Sequence, residues 1–158
     1  MKAVRAAKAR DVMTRRISAL HLGDTLRGAA GMLLEKGIGG APVVDRAGRP
    51  VGVLSKTDIV RYERERLAGR DTPLKRAAVR ALGSLEVVSQ YPDLLPDKGA
   101  ARVSEWMTPR IISVAEDADL ADVAREMLKR RIHRVFVRKK SGRLSGVITT
   151  IDLMRCLI

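Results

Sequence analysis

Two short stretches of this 158-residue chain carry the residue types that do chemistry. Ser55 is followed three residues later by Asp58, with Gly52 three residues before it, and Gly146, Thr149 and Asp152 repeat the arrangement 94 residues on. A hydroxyl and a carboxylate at this spacing on the first helical turn form a capping box, in which the hydroxyl accepts from a free helix N–H and the carboxylate reaches back. That structural role explains either occurrence alone. Their duplication, each behind a glycine on the strand feeding the helix, opens a second role. A helix N-terminus offers unpaired N–H groups and a positive dipole end, and a carboxylate beside it can accept both hydroxyls of a sugar diol. Ribose with a phosphate satisfies both features. Lys56, beside the first pair, either contacts phosphate or faces solvent.

The elements that must position these residues are legible from periodicity. Ile17 to Leu20 reads as a short extended segment. Asp24 is the expected N-cap of a helix over Thr25 to Lys36, whose Leu26, Ala29, Ala30, Leu33 and Leu34 share one face, with Gly37 at the C′ position. Ile38 to Asp45 reads as a buried strand, with Gly39 and Gly40 allowing close backbone approach. Arg46 to Arg49 is a hairpin turn, Val51 to Leu54 the return strand, and Ser55 opens a helix to about Leu67. The order is β-α-β-β-α.

A second copy follows without a gap. Met13-Thr14 becomes Met107-Thr108, Leu26 becomes Leu120, Ile38 becomes Ile132, and Gly48-Arg49 becomes Gly142-Arg143. The predicted fold is therefore α/β, two pseudo-symmetric repeats packed sheet to sheet because neither buries its sheet face alone. Expected boundaries are 1–10 for a basic N-terminal arm, flexible or a frayed helix, 11–67 for the first repeat, 68–104 for a partly helical insert and 105–158 for the second repeat. Within the insert, a helix is expected from Thr72 to about Leu82, then an irregular loop marked by Tyr91-Pro92, Leu95-Pro96 and Lys98-Gly99.

Composition narrows the function classes. Aromatic residues make up only 3%, so the core must come from Val, Ile, Leu, Ala and Met. Cys156 has no cysteine to pair with, and two histidines with one cysteine make no zinc constellation, so no metal is expected. No triad-like or metal-ligand context surrounds His21 or His133, and the chain reads as a non-enzyme. No run approaches the ~18 apolar residues of a membrane span, and the first residues lack a secretory h-region, so a cytoplasmic protein without a membrane partner is expected. The absence of Asn, with Gln90 the only Gln, fits a thermophilic source. The net charge of +13 is uneven: residues 1–16 hold six Lys/Arg, and a second cluster runs from Lys129 to Arg143. Such fields attract polyanions or phosphorylated ligands, and they equally describe a solvated basic surface. The alternative function is thus a nucleic-acid-associated protein that uses these clusters on a scaffold.

The motifs DVMT and EWMTP, IGGAPVVD and IHRVFV, and GVLSKTDIV and GVITTIDLM together resemble the CBS domain, which occurs as tandem pairs called Bateman modules. The resemblance implies a regulatory module that senses adenosine-containing ligands (AMP, ADP, ATP or S-adenosylmethionine) in clefts between paired sheets. It also implies a homodimer that signals to an unidentified enzyme or transporter. Carried over by position, Asp58 and Asp152 would hold ribose hydroxyls, and Ser55 and Thr149 would reach sugar or phosphate. Adenine would lie against Ile17, Ser18, Gly39, Gly40, Ala41 and Pro42 in one site, and against Ile111, Ile112 and Val135 in the other. Thr14, Val53, Lys56 and Thr57, with Thr108, Val147, Thr150 and Ile151, complete the implied set. His133-Arg134 matches the family's phosphate-contacting pair, where the first repeat has Gly39-Gly40. Phe136, in the place of Pro42, is expected to be core, and Lys139 replaces Asp45.

Overall fold

The computed structural model describes residues 7–67 and 101–156. The predicted insert helix and loop, and the first part of the basic arm, lie outside the described residues. In chain order the elements are α1 (Ala9–Val12), β1 (Leu20–His21), α2 (Leu26–Glu35), β2 (Gly40–Val44), β3 (Pro50–Ser55) and α3 (Lys56–Leu67). Then come α4 (Val103–Trp106), β4 (Ser113–Ala115), α5 (Leu120–Arg130), β5 (Arg134–Arg138), β6 (Leu144–Thr149) and α6 (Thr150–Arg155). The two predicted β-α-β-β-α runs are present, each preceded by a short helix.

Two three-stranded sheets form, β1-β2-β3 and β4-β5-β6. In each, the first strand pairs parallel to the second, Leu20 opposite Val43 and Ser113 opposite Phe136. A helix makes each crossover, as parallel pairing requires. Helix α2 buries Leu26, Ala29, Ala30 and Leu33, and α5 buries Leu120, Val123 and Met127. Gly37 (φ 62°) ends α2 as expected, its N–H reaching Leu34 O and that of Ile38 reaching Leu33 O. The cap of α2 departs from the sequence reading. Thr25 Oγ1 accepts from Gly28 N at 3.0 Å, whereas the Asp24 carboxylate accepts from His21 N at 2.8 Å and closes the preceding turn. Adjacent Asp and Thr are both good caps, and β1 running to His21 places the first helical turn one residue later than the pattern suggested.

The compact units do not coincide with the sequence repeats. One gathers the described residues of Met1–Ser18, Ala47–Pro50 and Ile111–Ile158, the other those of Ala19–Arg46 and Val51–Arg110. The start of each repeat is built into the unit that holds the other repeat's sheet. Thr14 and Val147 exchange N–H···O bonds of 2.9 and 3.0 Å, and Thr108 and Val53 do the same at 2.9 and 3.0 Å. These bridges satisfy backbone groups along β6 and β3, the last strand of each sheet. Helix α1 comes with Thr14. Ala9, assigned by sequence to a basic arm, is fully buried with Leu120, Val123, Val135 and Ile148. Helix α4 comes with Thr108 and buries Val103 against Leu20, Leu26, Ala41 and Leu54.

This exchange explains Gly52 and Gly146. A Cβ on Gly52 would lie 2.6 Å from Thr108 O and 2.9 Å from Met107 Sδ, and one on Gly146 would lie 2.6 Å from Met13 Cγ. Gly52→Ala and Gly146→Ala are therefore expected to destabilise their units by roughly 1–3 kcal/mol through overpacking. Gly31→Ala, on an open face of α2 with nothing within 4 Å, should stabilise by about 0.5–1 kcal/mol. Urea denaturation of the three variants checks both signs.

A buried carboxyl on α3 supplies a pH dependence. Glu63 is 2% exposed and pairs through Oε2 with Arg66 at 2.8 and 3.1 Å. Among the described residues its Oε1 has no hydrogen-bond partner. Burial raises the Glu63 pKa above the ordinary carboxylate value, outweighing Arg66. The neutral form is favoured on folding, so the stability linked to Glu63 is present below its unfolded pKa and is lost as pH rises through the folded one. Glu63→Gln should therefore raise the melting temperature relative to the parent chain at pH 7. That gain should shrink toward pH 4, as read by thermal melts across that range.

Candidate functional site

Among the described residues, each unit holds a hydroxyl–carboxylate pair at a helix N-terminus, that of α3 or α6, and the two pairs make matching contacts. Asp58 Oδ2 accepts from Ser55 N at 2.8 Å and from Ser55 Oγ at 2.6 Å, while Asp58 N lies 3.4 Å from Ser55 Oγ. Asp152 Oδ2 accepts from Thr149 N and Oγ1 at the same 2.8 and 2.6 Å, with Asp152 N 3.4 Å from Thr149 Oγ1. The capping box read from the sequence is formed in both copies. It commits Oδ2 to the cap and leaves Oδ1 outside it. Both carboxylates are largely enclosed, with 9% and 11% of their side chains exposed. An acceptor so placed is pre-ordered at little further entropic cost and has little water to give up.

The helix starts are tied to the second strands. Lys56 N donates to Gly39 O at 3.1 Å, and Thr150 N donates to His133 O at 3.1 Å. Thr150 Oγ1 also reaches His133 O, at 3.3 Å. Gly39, Gly40, Ala41 and Pro42 thus lead β2 away from the Asp58 pair, and His133, Arg134 and Val135 lead β5 away from the Asp152 pair. Gly40, Ala41 and Pro42 are buried, Gly39 and Lys56 half-buried and Thr57 exposed. In the other unit Val135 is buried, Arg134 half-buried, and His133, Thr150 and Ile151 exposed. Burial lowers the Arg134 pKa, the sign of a partly desolvated cation that gains from an anion nearby. Phe136 is buried core, as expected.

The exchange of repeat starts redistributes the predicted residues. Thr14 and half-buried Val147, bonded to each other, belong with Asp152; Thr108 and half-buried Val53 belong with Asp58. Ile17 and Ser18 lie between Thr14, which bridges Val147, and Leu20, which opens β1 opposite Val43. Ile111 and Ile112 lie in the unit of Val135, Ile112 O accepting from Phe136 N at 3.0 Å.

Two residues missed in the sequence face the oxygens that the caps leave over. Arg61 Nη2 is 3.3 Å from Asp58 Oδ1 and Arg155 Nη1 is 3.7 Å from Asp152 Oδ1. Their signal was present: an arginine three residues after each aspartate, at the same repeat offset. The unit of Asp152 also carries a cleft of about 440 Å³ beyond the other end of β5, lined by Arg10, Ala115, Glu116, Asp117, Arg138, Lys139 and Lys140. Among the described residues no group of three or more His, Cys, Asp or Glu is placed to hold a metal ion, and no helix is long and apolar enough to cross a membrane.

Comparison with known proteins bears on both repeats. The CBS domain family model matches residues 9–65 and 103–158. An uncharacterised protein of Methanocaldococcus jannaschii is 29% identical over 125 residues, covering 77% of this chain and 74% of its own. The structure of CBSX2 in complex with AMP superposes with a TM-score of 0.69 at 24% identity, covering 95% of both chains. The CBS domain pair of protein MJ0100, in complex with 5′-methylthioadenosine and S-adenosyl-L-methionine, gives a TM-score of 0.68 at 22% identity over 96% of each chain.

Proposed function

The chain belongs to the CBS domain family, and we propose that it is a non-enzymatic regulatory module that binds an adenosine-containing ligand and passes the signal to a partner enzyme or transporter. The observation that carries this reading is the duplicated pair itself, in which the cap uses one oxygen of each aspartate and leaves the other for a ribose diol. Ligands of this class in two proteins of the same fold, AMP in one and methylthioadenosine with S-adenosylmethionine in the other, support the reading. AMP, ADP, ATP and S-adenosylmethionine all present that diol. In the unit of Asp152, Arg134 adds a positive charge and His133 a ring nitrogen able to hydrogen-bond, both suited to a phosphate. Its implied ligand set is Thr14, Ile111, Ile112, His133 to Val135, Val147 and Thr149 to Asp152. The other unit's set is Gly39 to Pro42, Val53, Ser55 to Asp58 and Thr108. A polyanion-binding role draws on less, because Glu116 and Asp117 share the basic cleft and no aromatic side chain lines it for base stacking.

A second copy of this chain is the partner that the surface of α6 suits. Ile151 and Met154, three residues apart, are 62% and 61% exposed. Adjacent apolar side chains left in water on one helix face favour self-association.

Two measurements test these readings. Saturating AMP, at ~100 times its dissociation constant, should add about 2.7 kcal/mol of stability in thermal shift. Asp152→Ala should then cost roughly 2–4 kcal/mol of AMP binding, counting each lost charge-assisted hydrogen bond at about 1.5–3 kcal/mol. Calorimetry that finds unchanged affinity in a variant folded by circular dichroism would remove the ribose assignment. Sedimentation should give a dimer for the parent chain and a shift toward monomer for Met154→Lys; a parent chain that sediments as a monomer at micromolar concentration contradicts the self-association.

A further inference from the structure

The two aspartates share one plan and differ in what guards the free oxygen. Arg61, which lies 3.3 Å from Asp58 Oδ1, is itself held in place. Its Nη2 donates to the Trp106 carbonyl at 2.9 Å, and its guanidinium carbon lies 5.8 Å from the centre of the Trp106 ring. Trp106 in turn packs edge-on against Tyr62, with ring centroids 5.0 Å apart. Arg61 is thereby fixed on helix α4 while it covers the one carboxylate oxygen that the cap leaves free. At the other aspartate the guard is loose. Arg155 lies 3.7 Å from Asp152 Oδ1, its side chain is 74% exposed against 45% for Arg61, and it has no further hydrogen bond among the described residues. The residue that corresponds to Trp106 in the repeat is Val12, which has no ring to stack on a guanidinium.

A ribose diol donates to its carboxylate, so it competes directly with any cation on that oxygen. At Asp152 the competitor is a solvated side chain that swings away at the loss of one weak, exposed ion pair. At Asp58 displacement forfeits the ion pair, the hydrogen bond to the Trp106 carbonyl and the cation–π contact together. Resting on the ribose reading above, we propose that Arg61 is a specificity-determining residue: anchored on Trp106, it closes the Asp58 site, so that the Asp152 site takes the adenosyl ligand first.

Trp106 is the chain's one tryptophan and touches the guard of the Asp58 site alone, so its fluorescence reports occupancy there. AMP is titrated into the full chain with calorimetry and tryptophan fluorescence read together, and S-adenosylmethionine serves as a second probe. The expected result is one tight site per chain that is silent in fluorescence, and a fluorescence change only at concentrations at least tenfold higher. Asp152→Ala should abolish the tight phase, and Asp58→Ala the weak one. Arg61→Ala should bring the two phases within about threefold of each other. Two equal sites in the parent chain, a tight phase that moves Trp106, or a gap unchanged in Arg61→Ala would overturn the role of Arg61 while leaving the ribose reading intact. No binding of either probe to the parent chain would overturn the ribose reading, and the role of Arg61 with it.

Discussion

Every unit of this protein depends on an open strand edge being covered by a residue from the far part of the chain. β6 takes Thr14 and β3 takes Thr108, each through a reciprocal pair of backbone hydrogen bonds. An edge strand left bare exposes unpaired N–H and C=O groups and invites foreign pairing. Covering it with the start of the other repeat brings a short helix along, and the helix closes the core. Ala9 and Val103, one from each such helix, are both fully buried. The first N–H of α5 is satisfied in the same way, by Ala7 O at 3.0 Å, and that of α2 by Ala101 O at 2.9 Å. One device therefore terminates the sheet, completes the core and caps a crossover helix.

The candidate ligand sites inherit their geometry from that device. The strand that the exchanged residue covers runs directly into the helix bearing the aspartate, so its position is fixed from both sides. The strand glycine lets the methionine of the exchanged segment lie flat against the backbone. The same exchanged segment brings Trp106 to Arg61, and so sets how available the Asp58 oxygen is. Packing and binding thus share residues here. A contact that closes one core also tunes one site, and its counterpart with valine does not.

The charge excess has a comparable split. Among the described residues most of the cations are exposed, where ion pairs such as Lys8 with Asp119 contribute little. Half-buried Arg134 sits at the edge of a candidate phosphate position, half-buried Arg66 pairs with buried Glu63, and Arg61, though exposed, is committed to a carboxylate and a carbonyl. A net charge read from composition counts all these cations alike, whereas only those held by neighbouring groups can select a ligand.

The sequence by itself determined what is local. Helices α2 and α5, the paired strands and the Ser55–Asp58 and Thr149–Asp152 caps all follow from periodicity or from contacts within a few residues, and all are present. The choice of Thr25 over Asp24 as a cap was lost only because both residues can serve. Tertiary structure alone decided which repeat start covers which sheet. DVMT and EWMT are too alike for any local pattern to separate pairing with the chain's own repeat from pairing with the other. That choice gave Gly52 and Gly146 a packing role, Gly52 against Thr108 and Met107 and Gly146 against Met13. It also placed Trp106 against Arg61, a contact 45 residues apart that depends on the exchange being made.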